Sequence, residues 1–410
     1  MKVSVLGYGT VGVGVCAMLE KAPGLELRSV LVRPGKADKP WKVCSMLEKA
    51  PGLELKSVLV RPGKADKPFK VTSIDEIVND PEVEAVVEVM GGVEPACSFV
   101  SAALAAGKHA VTSNKALVAA HGPELAKLAK EKGVGFLFSA ACGGGVPFLH
   151  NLARAAETDE ILSLGGILNG TTNFMLDSMQ RSGMDYADAL SQAQALGYAE
   201  ADPTADVSGL DALRKIMLAC AVAYDKLPCE GFSLEGIESV TAADVAHFRS
   251  KGLVLRLVVR GGESEDGRLY AFVQPVLLSA SSPEASVLKN FNMAKYRGEN
   301  AGDIVLIGQG AGRYPTASAV VRDLSDIVHG RREMMKPGCV RVAADNSVCA
   351  CRYYVRLPAA LSDALPFAEK ELDGELCRGV TEALAVTDMH ARVKALRESG
   401  EAVFFAAMEE

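Results

Sequence analysis

The first 140 residues alternate between short apolar runs and longer segments in which apolar residues recur every three or four positions. Runs such as KVSVL (2–6) and VEAVVEVM (83–90) are typical of strands that are buried on both faces of a sheet. Segments such as HGPELAKLAKEKG (121–133) have the period of a helix. This alternation predicts an α/β domain built on a doubly wound parallel sheet over residues 1–140.

The second half of the chain shows a different pattern. Residues 141–310 contain extended strands such as RLYAFVQPVLL (268–278) and an almost wholly apolar helix from Ile216 to Tyr224. These features predict a second, substrate-holding α+β domain. Glycines followed by a helical period then predict that residues 311–335 return to the first domain.

The last segment, residues 350–410, reads as a small separate unit. Amphipathic patterns predict helices at Leu361–Leu372 and Met389–Ser399, with apolar strands around them. The predicted order is βαββαβ.

A glycine-rich turn follows the first strand. GYGTVG places Gly7, Gly9 and Gly12 in the G-x-G-x-x-G spacing between a strand and a helix, as in sites that bind the pyrophosphate of a dinucleotide. The alternative is an ordinary strand-to-helix turn. The expected nucleotide contacts are Gly7, Tyr8, Gly9, Thr10, Val11 and Gly12.

Two cations follow the second strand of this domain. Arg33 and Lys36 stand where sites that prefer NAD usually place a carboxylate for the ribose hydroxyls. Positive charge at this position favours the 2′-phosphate of NADP over NAD. A solvated basic turn is the alternative interpretation.

A tandem duplication interrupts the domain. Cys16–Val43 is followed directly by Cys44–Val71, a near-copy that differs at Ala17/Ser45, Arg28/Lys56 and Trp41/Phe69. Two copies are too few for a solenoid, so one copy is surplus to the fold. We expect the first copy to supply the strand beside the nucleotide, and the second to be extruded or added at an edge of the sheet.

Further candidate ligand contacts follow other strands. Gly91 and Ser113 come after two apolar runs, and Lys115 opens the next helix; the carboxyl ends of parallel strands are where such sheets bind ligands. Gly312 lies in the glycine turn before the returning helix, which we expect to close over the nucleotide. For Lys115, a surface loop is the alternative.

The stretch LGYAEADPTADVSGLDALRK (196–215) carries the strongest chemical signal. Asp211 and Lys215 stand four residues apart on one helical face, and the next charged residue is Asp225. Partial desolvation at the start of so apolar a helix lowers the pKa of a lysine toward the range useful for proton transfer. The alternative is a surface ion pair.

Composition narrows the possible partners. The 410 residues carry a formal net charge of −7, which argues against nucleic acid and against an anionic membrane surface. Ten cysteines without a C-x-x-C spacing favour reduced thiols in a cytoplasm over disulfides or zinc. The expected partners are small molecules and other subunits.

A run of three glycines precedes Val146-Pro147 in ACGGGVPFL (141–149). Exposed carbonyl groups in such a turn can bind a hard cation, and a flexible hinge is the alternative. The six histidines have no metal-binding spacing.

Six segments occur in the order seen in homoserine dehydrogenases, and the chain closely resembles that family over residues 1–330. They are GYGTVG, SNKALVAAHG, GGGVP, ILNGTTNF, LGYAEADPTADVSGLDALRK and GAGRYPTASAV. The resemblance implies NAD(P)-dependent interconversion of L-homoserine and L-aspartate 4-semialdehyde, in threonine, methionine and isoleucine biosynthesis, by a homodimer or homotetramer.

The resemblance also implies residue roles. Lys215 is then the general acid/base, Glu200 and Asp211 hold the substrate amino group, and Lys115 faces substrate and nicotinamide. It further implies a sodium ion on the backbone carbonyls of Cys142, Gly144 and Val146, although Ser139 stands where the family often has a glutamate. The end of the chain is similar to an ACT regulatory domain, compressed in length.

Two other functions stay open at this point. One is a non-catalytic sensor that binds NADP and reports amino-acid levels. The other is a different semialdehyde or amino-acid dehydrogenase with the same fold.

Overall fold

The computed structural model describes residues 1–7, 9–19, 21–31, 57–59, 70–71 and 73–409. The chain divides into two compact units. The first unit comprises Met1–Arg154 and Gln309–Val340, and the second comprises Ala155–Gly308 and Arg341–Glu410.

The first unit contains a seven-stranded sheet in the order β4-β3-β2-β1-β5-β6-β7, with every pair parallel. This sheet is the predicted doubly wound one. Its strands are β1 (Lys2–Leu6), β2 (Glu26–Leu31), β3 (Ser57–Leu59), β4 (Lys70–Val71), β5 (Ala85–Glu88), β6 (His109–Thr112) and β7 (Phe136–Leu137). Its helices are α1 (Thr10–Leu19), α2 (Ile74–Val78), α3 (Ala96–Ala105), α4 (Lys115–Lys132), α5 (Phe148–Ala155) and, between the two parts of the second unit, α11 (Arg313–Val328).

Small residues let the returning helix α11 approach α1 closely. A Cβ atom added at Gly14 of α1 would lie 2.6 Å from the carbonyl oxygen of Arg313 and 2.9 Å from the Cβ of Ala317. Any larger residue at position 14 would push the two helices apart.

Strands from both copies of the duplication join the sheet. β2 comes from the first copy and pairs with β1, whereas β3 comes from the second copy and pairs with β2. The register sets identical residues side by side, Ser29 with Ser57, Val30 with Val58 and Leu31 with Leu59. The second copy also supplies β4, the outermost strand, so this copy is added at an edge of the sheet, as expected. Within the duplicated segments, Glu20 and residues 32–56 and 60–69 fall outside the described residues.

The second unit is organised around a mixed sheet in the order β14-β13-β8-β11-β12-β21-β17-β19-β18, with β10 also paired to β12. Long antiparallel strands form its centre, and β11 pairs with β12 along its whole length. The strands of this unit are β8 (Ile161–Ile167), β9 (Lys226–Glu230), β10 (Ser233–Leu234), β11 (Leu253–Glu263), β12 (Leu269–Ser279), β13 (Phe291–Gly298), β14 (Gly302–Gln309), β15 (Val340–Ala343), β16 (Ala350–Cys351), β17 (Tyr353–Pro358), β18 (Phe367–Asp373), β19 (Leu376–Thr381), β20 (Leu384–Ala385) and β21 (Phe404–Met408). β9 pairs with β15, and β16 with β20, in two small separate sheets.

The apolar helix predicted from Ile216 to Tyr224 is the later part of α9. Its residues from Ile216 to Val222 are all buried, and Ile216 and Cys220 lie where a Cβ on Gly261 of β11 would touch them. The other helices of this unit are α6 (Gly170–Ser182), α7 (Tyr186–Ala195), α8 (Thr204–Val207), α9 (Leu210–Tyr224), α10 (Ala242–Ser250) and α12 (Val386–Glu398).

The end of the chain differs from its prediction. Residues expected to form a helix at Leu361–Leu372 instead include strand β18, which pairs antiparallel with β19. Residues 350–409, all of which are described, hold one α-helix, α12, so the predicted βαββαβ order is wrong. The segment is also not a separate unit, because β21 pairs with β12 and extends the same sheet, and its Tyr353 and Phe405 share a core with Val258.

None of the helices among the described residues is long and apolar enough to cross a membrane.

Candidate functional site

The glycine turn of the first unit has the backbone shape that its spacing predicts. Gly7 has φ +104°, a value that side chains disfavour, and a Cβ on Gly12 would lie 2.2 Å from the carbonyl oxygen of Gly7. A Cβ on Gly9 meets nothing within 4 Å, so the backbone there is open to a bound group. Thr10 and Val11 begin α1, whose N-terminus favours an anion. Tyr8 lies outside the described residues.

Gly91, Ser113 and Lys115 meet at the carboxyl ends of two neighbouring strands. Gly91 (φ +72°) follows β5, and Ser113 follows β6 and donates its N–H to the carbonyl oxygen of Glu88, 3.2 Å away. Lys115 is the first residue of α4 and is half-buried. These predicted contacts therefore share one edge of the sheet, the edge at which the glycine turn also begins.

Gly312 (φ +124°) immediately precedes α11 in the first unit. The two predicted phosphate-reading cations, Arg33 and Lys36, lie outside the described residues. The strand that precedes these two cations ends beside the glycine turn. Leu31, the last residue of β2, pairs with Leu6 at the end of β1.

Lys215 and Asp211 form a buried ion pair in the second unit. Only 7% of Lys215 and 8% of Asp211 are exposed, and the Nζ atom lies 2.8 Å from Asp211 Oδ2. Lys215 Nζ also donates to the carbonyl oxygen of Leu168, 2.5 Å away at the end of β8. The surface interpretation of this pair is therefore wrong.

Asn169 joins this pair to another carboxylate. Its Nδ2 group donates to Asp211 Oδ2 at 2.9 Å and to Asp206 Oδ1 at 2.7 Å, while its Oδ1 accepts from Thr172 N–H and caps α6. Burial is the main cause that raises the pKa of Asp206; the hydrogen bond from Asn169 opposes the rise, and the nearby charge of Asp211 adds to it. The site is thus a chain of four groups, Asp206, Asn169, Asp211 and Lys215.

Sequence reasoning identified two of these four groups. These two are Asp211 and Lys215, which stand four residues apart in the sequence. The available signal was the asparagine directly before GTTN, since a residue that caps a helix at the end of a strand is held in place and can carry a second contact.

Glu200 lies outside the chain of four groups formed by Asp206, Asn169, Asp211 and Lys215. It lies exposed in the turn between α7 and α8, where its backbone carbonyl accepts from Gln194. Its carboxylate forms no ion pair with any residue that the structure describes.

Cys142, Gly144 and Val146, whose carbonyl groups were predicted to bind a cation, lie in the turn between β7 and α5. The carbonyl oxygen of Val146 accepts from Phe148 N–H at 2.8 Å, and a Cβ on Gly144 would lie 2.5 Å from the carbonyl oxygen of Gly310. Within the described part of the chain, no group of three or more His, Cys, Asp or Glu side chains could hold a metal ion. We assign no step to a cation.

Ser139 is instead bound to a carboxylate from α11. Its N–H and its hydroxyl donate to the two oxygens of Asp323, at 2.9 Å and 2.5 Å. Asp323 is fully buried, and burial raises its pKa to about 7 although the hydrogen bonds from Ser139 lower it. Both oxygens of this carboxylate are thus used to hold the segment before the glycine run.

The first unit carries a glycine turn of the dinucleotide-binding form, and the second unit holds a buried amine paired with a carboxylate, two features typical of nucleotide-dependent oxidoreductases. Comparison with known proteins gives the family. The profile described as "Homoserine dehydrogenase, NAD binding domain" matches residues 7–139, and "Homoserine dehydrogenase" matches residues 147–325.

Named relatives agree with these profiles. A homoserine dehydrogenase of Synechocystis sp. is 40% identical over 339 residues, which cover 80% of this chain and 73% of the relative. One from Corynebacterium glutamicum is 43% identical over 265 residues, 62% of this chain and 60% of the relative.

Solved structures of homoserine dehydrogenases are similar to this chain as well. The crystal structure of a homoserine dehydrogenase from Thiobacillus denitrificans has a TM-score of 0.84 at 30% identity and covers 100% of this chain and 98% of that one. A hyperthermophilic archaeal homoserine dehydrogenase mutant in complex with NADPH has a TM-score of 0.64 at 27% identity, over 80% of this chain and 98% of that one.

The chain belongs to the homoserine dehydrogenase family. It is an NAD(P)-dependent oxidoreductase of amino-acid biosynthesis, in the family that interconverts L-aspartate 4-semialdehyde and L-homoserine.

The Asp323 carboxyl gives a prediction for stability against pH. Because its folded pKa is raised to about 7, its contribution to stability is complete below an unfolded pKa of about 3.9 and is lost as pH rises through 7. Asp323→Asn removes this dependence. We expect the wild type to lose up to about 4 kcal/mol relative to the variant between pH 4 and pH 7, at about 1.4 kcal/mol per pH unit.

Urea unfolding of both proteins across this pH range measures the difference. Parallel curves for the two proteins would contradict the assignment, because other buried carboxylates contribute equally to both.

Proposed function

We propose that this chain reduces L-aspartate 4-semialdehyde to L-homoserine with NADPH as the hydride donor and Lys215 as the general acid. The observation that supports it most is the buried Asp211–Lys215 pair, held at the start of an apolar helix by Asn169 and the Leu168 carbonyl. A lysine so fixed can deliver a proton at one defined point.

The nucleotide fits the first unit, because the open backbone at Gly9 and the start of α1 suit a pyrophosphate. When bound, NADPH supplies the hydride that reaches the aldehyde carbon. Lys215 donates a proton to the oxygen as negative charge develops there, and Asp211 keeps the amine oriented. In the reverse direction the same amine accepts the hydroxyl proton of homoserine.

The remaining residues bind the charged ends of the substrate. We assign the exposed Glu200 carboxylate to the substrate ammonium group, with Asp211 as the second carboxylate near it. Lys115 is assigned to substrate and nicotinamide, and its place as first residue of α4 at the ligand edge of the sheet supports this.

The variants Lys215→Met and Glu200→Gln should change different kinetic constants. Loss of proton transfer lowers kcat by roughly 10²–10⁴-fold while leaving NADPH affinity unchanged. Loss of the Glu200 charge raises KM for homoserine, because the amide keeps a hydrogen bond but no longer attracts the ammonium. Steady-state rates, followed through the absorbance of the reduced nicotinamide, separate the two effects.

Lys226→Met is the control for Lys215, since Lys226 lies in the same unit and pairs with Glu263 outside the proposed site. Full turnover in Lys215→Met would refute the general-acid role. Turnover in the parent chain excludes a non-catalytic sensor, and a substrate panel distinguishes other semialdehyde dehydrogenases.

We also propose that NADP is preferred over NAD and that the first copy of the duplication reads its 2′-phosphate. The pairing of β2 with β1 supports this, since β3 of the second copy is one strand further from the glycine turn, about 4.8 Å.

Arg33→Ala should therefore weaken NADPH binding about tenfold or more and leave NADH binding nearly unchanged, because it removes a charge-assisted hydrogen bond to the phosphate. Arg61→Ala, at the equivalent position of the second copy, is the matched control and should bind both nucleotides like the parent. Titration of nucleotide binding measures both variants. A large loss confined to Arg61→Ala would reverse the assignment of the copies.

We further propose that the chain acts as a homodimer or homotetramer. β14 is an outer strand of the second unit's sheet, and its exposed face carries Val305 and Ile307, of which Ile307 is 55% exposed. An edge strand that is long and apolar is a place where a second copy can pair.

The nine described cysteines are all free thiols, which supports a reducing compartment such as the cytoplasm.

Ile307→Lys should lower the mass seen in sedimentation, because it places a charge on the proposed interface. Val328→Lys, on an equally exposed apolar residue of α11, should leave the mass unchanged. A monomeric parent chain would refute the proposal.

A further inference from the structure

A closed ring of hydrogen bonds lies at the carboxyl ends of β5 and β6 in the first unit. It begins at Glu88, the last residue of β5, whose side chain is fully buried. One carboxylate oxygen, Oε1, accepts from the N–H groups of Met90 and Gly91, at 2.6 Å and 3.2 Å. Glu88 therefore holds the turn that follows its own strand.

The second oxygen of Glu88 reaches the neighbouring strand. Thr112, the last residue of β6, pairs directly with Glu88 in the sheet, and its hydroxyl donates to Glu88 Oε2 at 2.5 Å. The same hydroxyl oxygen accepts from Asn114 N–H at 2.9 Å. The link thus continues to the residue before α4.

Asn114 closes the ring. Its Nδ2 group donates to the carbonyl oxygen of Gly92 at 2.6 Å, which returns to the turn that Glu88 holds, and its Oδ1 accepts from Leu117 N–H at the start of α4. Every contact that Glu88 makes in the ring is one in which its oxygens accept. An ionised carboxylate satisfies them all, whereas an amide at this position can satisfy only part of the set.

We propose that Glu88 is a positioning residue that fixes the Gly91–Gly92 turn and Lys115 relative to each other, and that its two acceptor oxygens thereby set NADPH affinity and turnover. Glu88 is buried beneath the ligand edge and acts through Gly91 and through Asn114, the residue directly before Lys115. The inference rests on the proposed assignment of Gly91 and Lys115 to the nucleotide and substrate.

Glu88→Gln tests the ring with little change in side-chain volume. We expect NADPH affinity and kcat each to fall about tenfold to a hundredfold, the loss that accompanies a broken hydrogen bond to a charged group. Thr112→Val should reproduce the loss, and Thr112→Ser, which keeps the hydroxyl, should restore most of the parent activity. The double variant Glu88→Gln/Thr112→Val should lose little more than either single variant, because both break the same ring.

Lys108→Met is the control for a purely structural effect. Lys108 is also buried, and it directly precedes β6, at the opposite end of the strand from Thr112. Its amine donates to the carbonyl oxygens of Asp80 and Val83. Its substitution should lower the urea midpoint without changing kcat or NADPH affinity of the folded protein.

The inference is overturned if Glu88→Gln shifts the urea midpoint alone, or if Thr112→Ser is as impaired as Thr112→Val. The second comparison still decides the matter if Glu88→Gln does not fold. Lys115→Met separates this result from the proposed function. Full turnover in Lys115→Met would refute the role of Lys115 in the proposed function. The effect of Glu88→Gln on NADPH affinity is measured by nucleotide binding and does not depend on that role.

Discussion

A buried ammonium group has to find its partners within the fold, because an unpaired charge in the interior costs several kcal/mol. Lys215 meets this constraint with one carboxylate and one backbone carbonyl, and the position of each depends on a different element. Asp211 lies one turn earlier on α9, and Leu168 follows the end of β8. The amine therefore ties the end of β8 to the first turns of α9.

An asparagine performs the same double task in both units. Asn114 and Asn169 each cap a helix through Oδ1, accepting from Leu117 N–H and Thr172 N–H, and each uses Nδ2 to hold a second group at the adjoining site. Serine or aspartate caps a helix as well, but neither has an amide donor left for the second contact. The choice of asparagine couples the start of a helix to the geometry of a site.

The features that the sequence predicted are those that depend on near neighbours. Glycine spacing gave the turn after β1, and the four-residue separation of Asp211 and Lys215 placed them on one helical face. The links made by Asn169 to Asp206 and Asp211 span 37 and 42 residues, and no local pattern signals them. At the end of the chain the residues of FAEKELD favour a helix by propensity, yet pairing with β19 makes them strand β18. Tertiary pairing decided that element.

The strand that repeats its neighbour has a consequence for the width of the first unit's sheet. Ser57, Val58 and Leu59 lie in register beside Ser29, Val30 and Leu31, on the side of β2 that faces away from β1. The first copy pairs with the strand that leads into the glycine turn, and the second copy lies one strand further out. Because β3 and β4 of the second copy form the outer end of the sheet, the repeat widens the sheet without displacing the strand that lies beside β1.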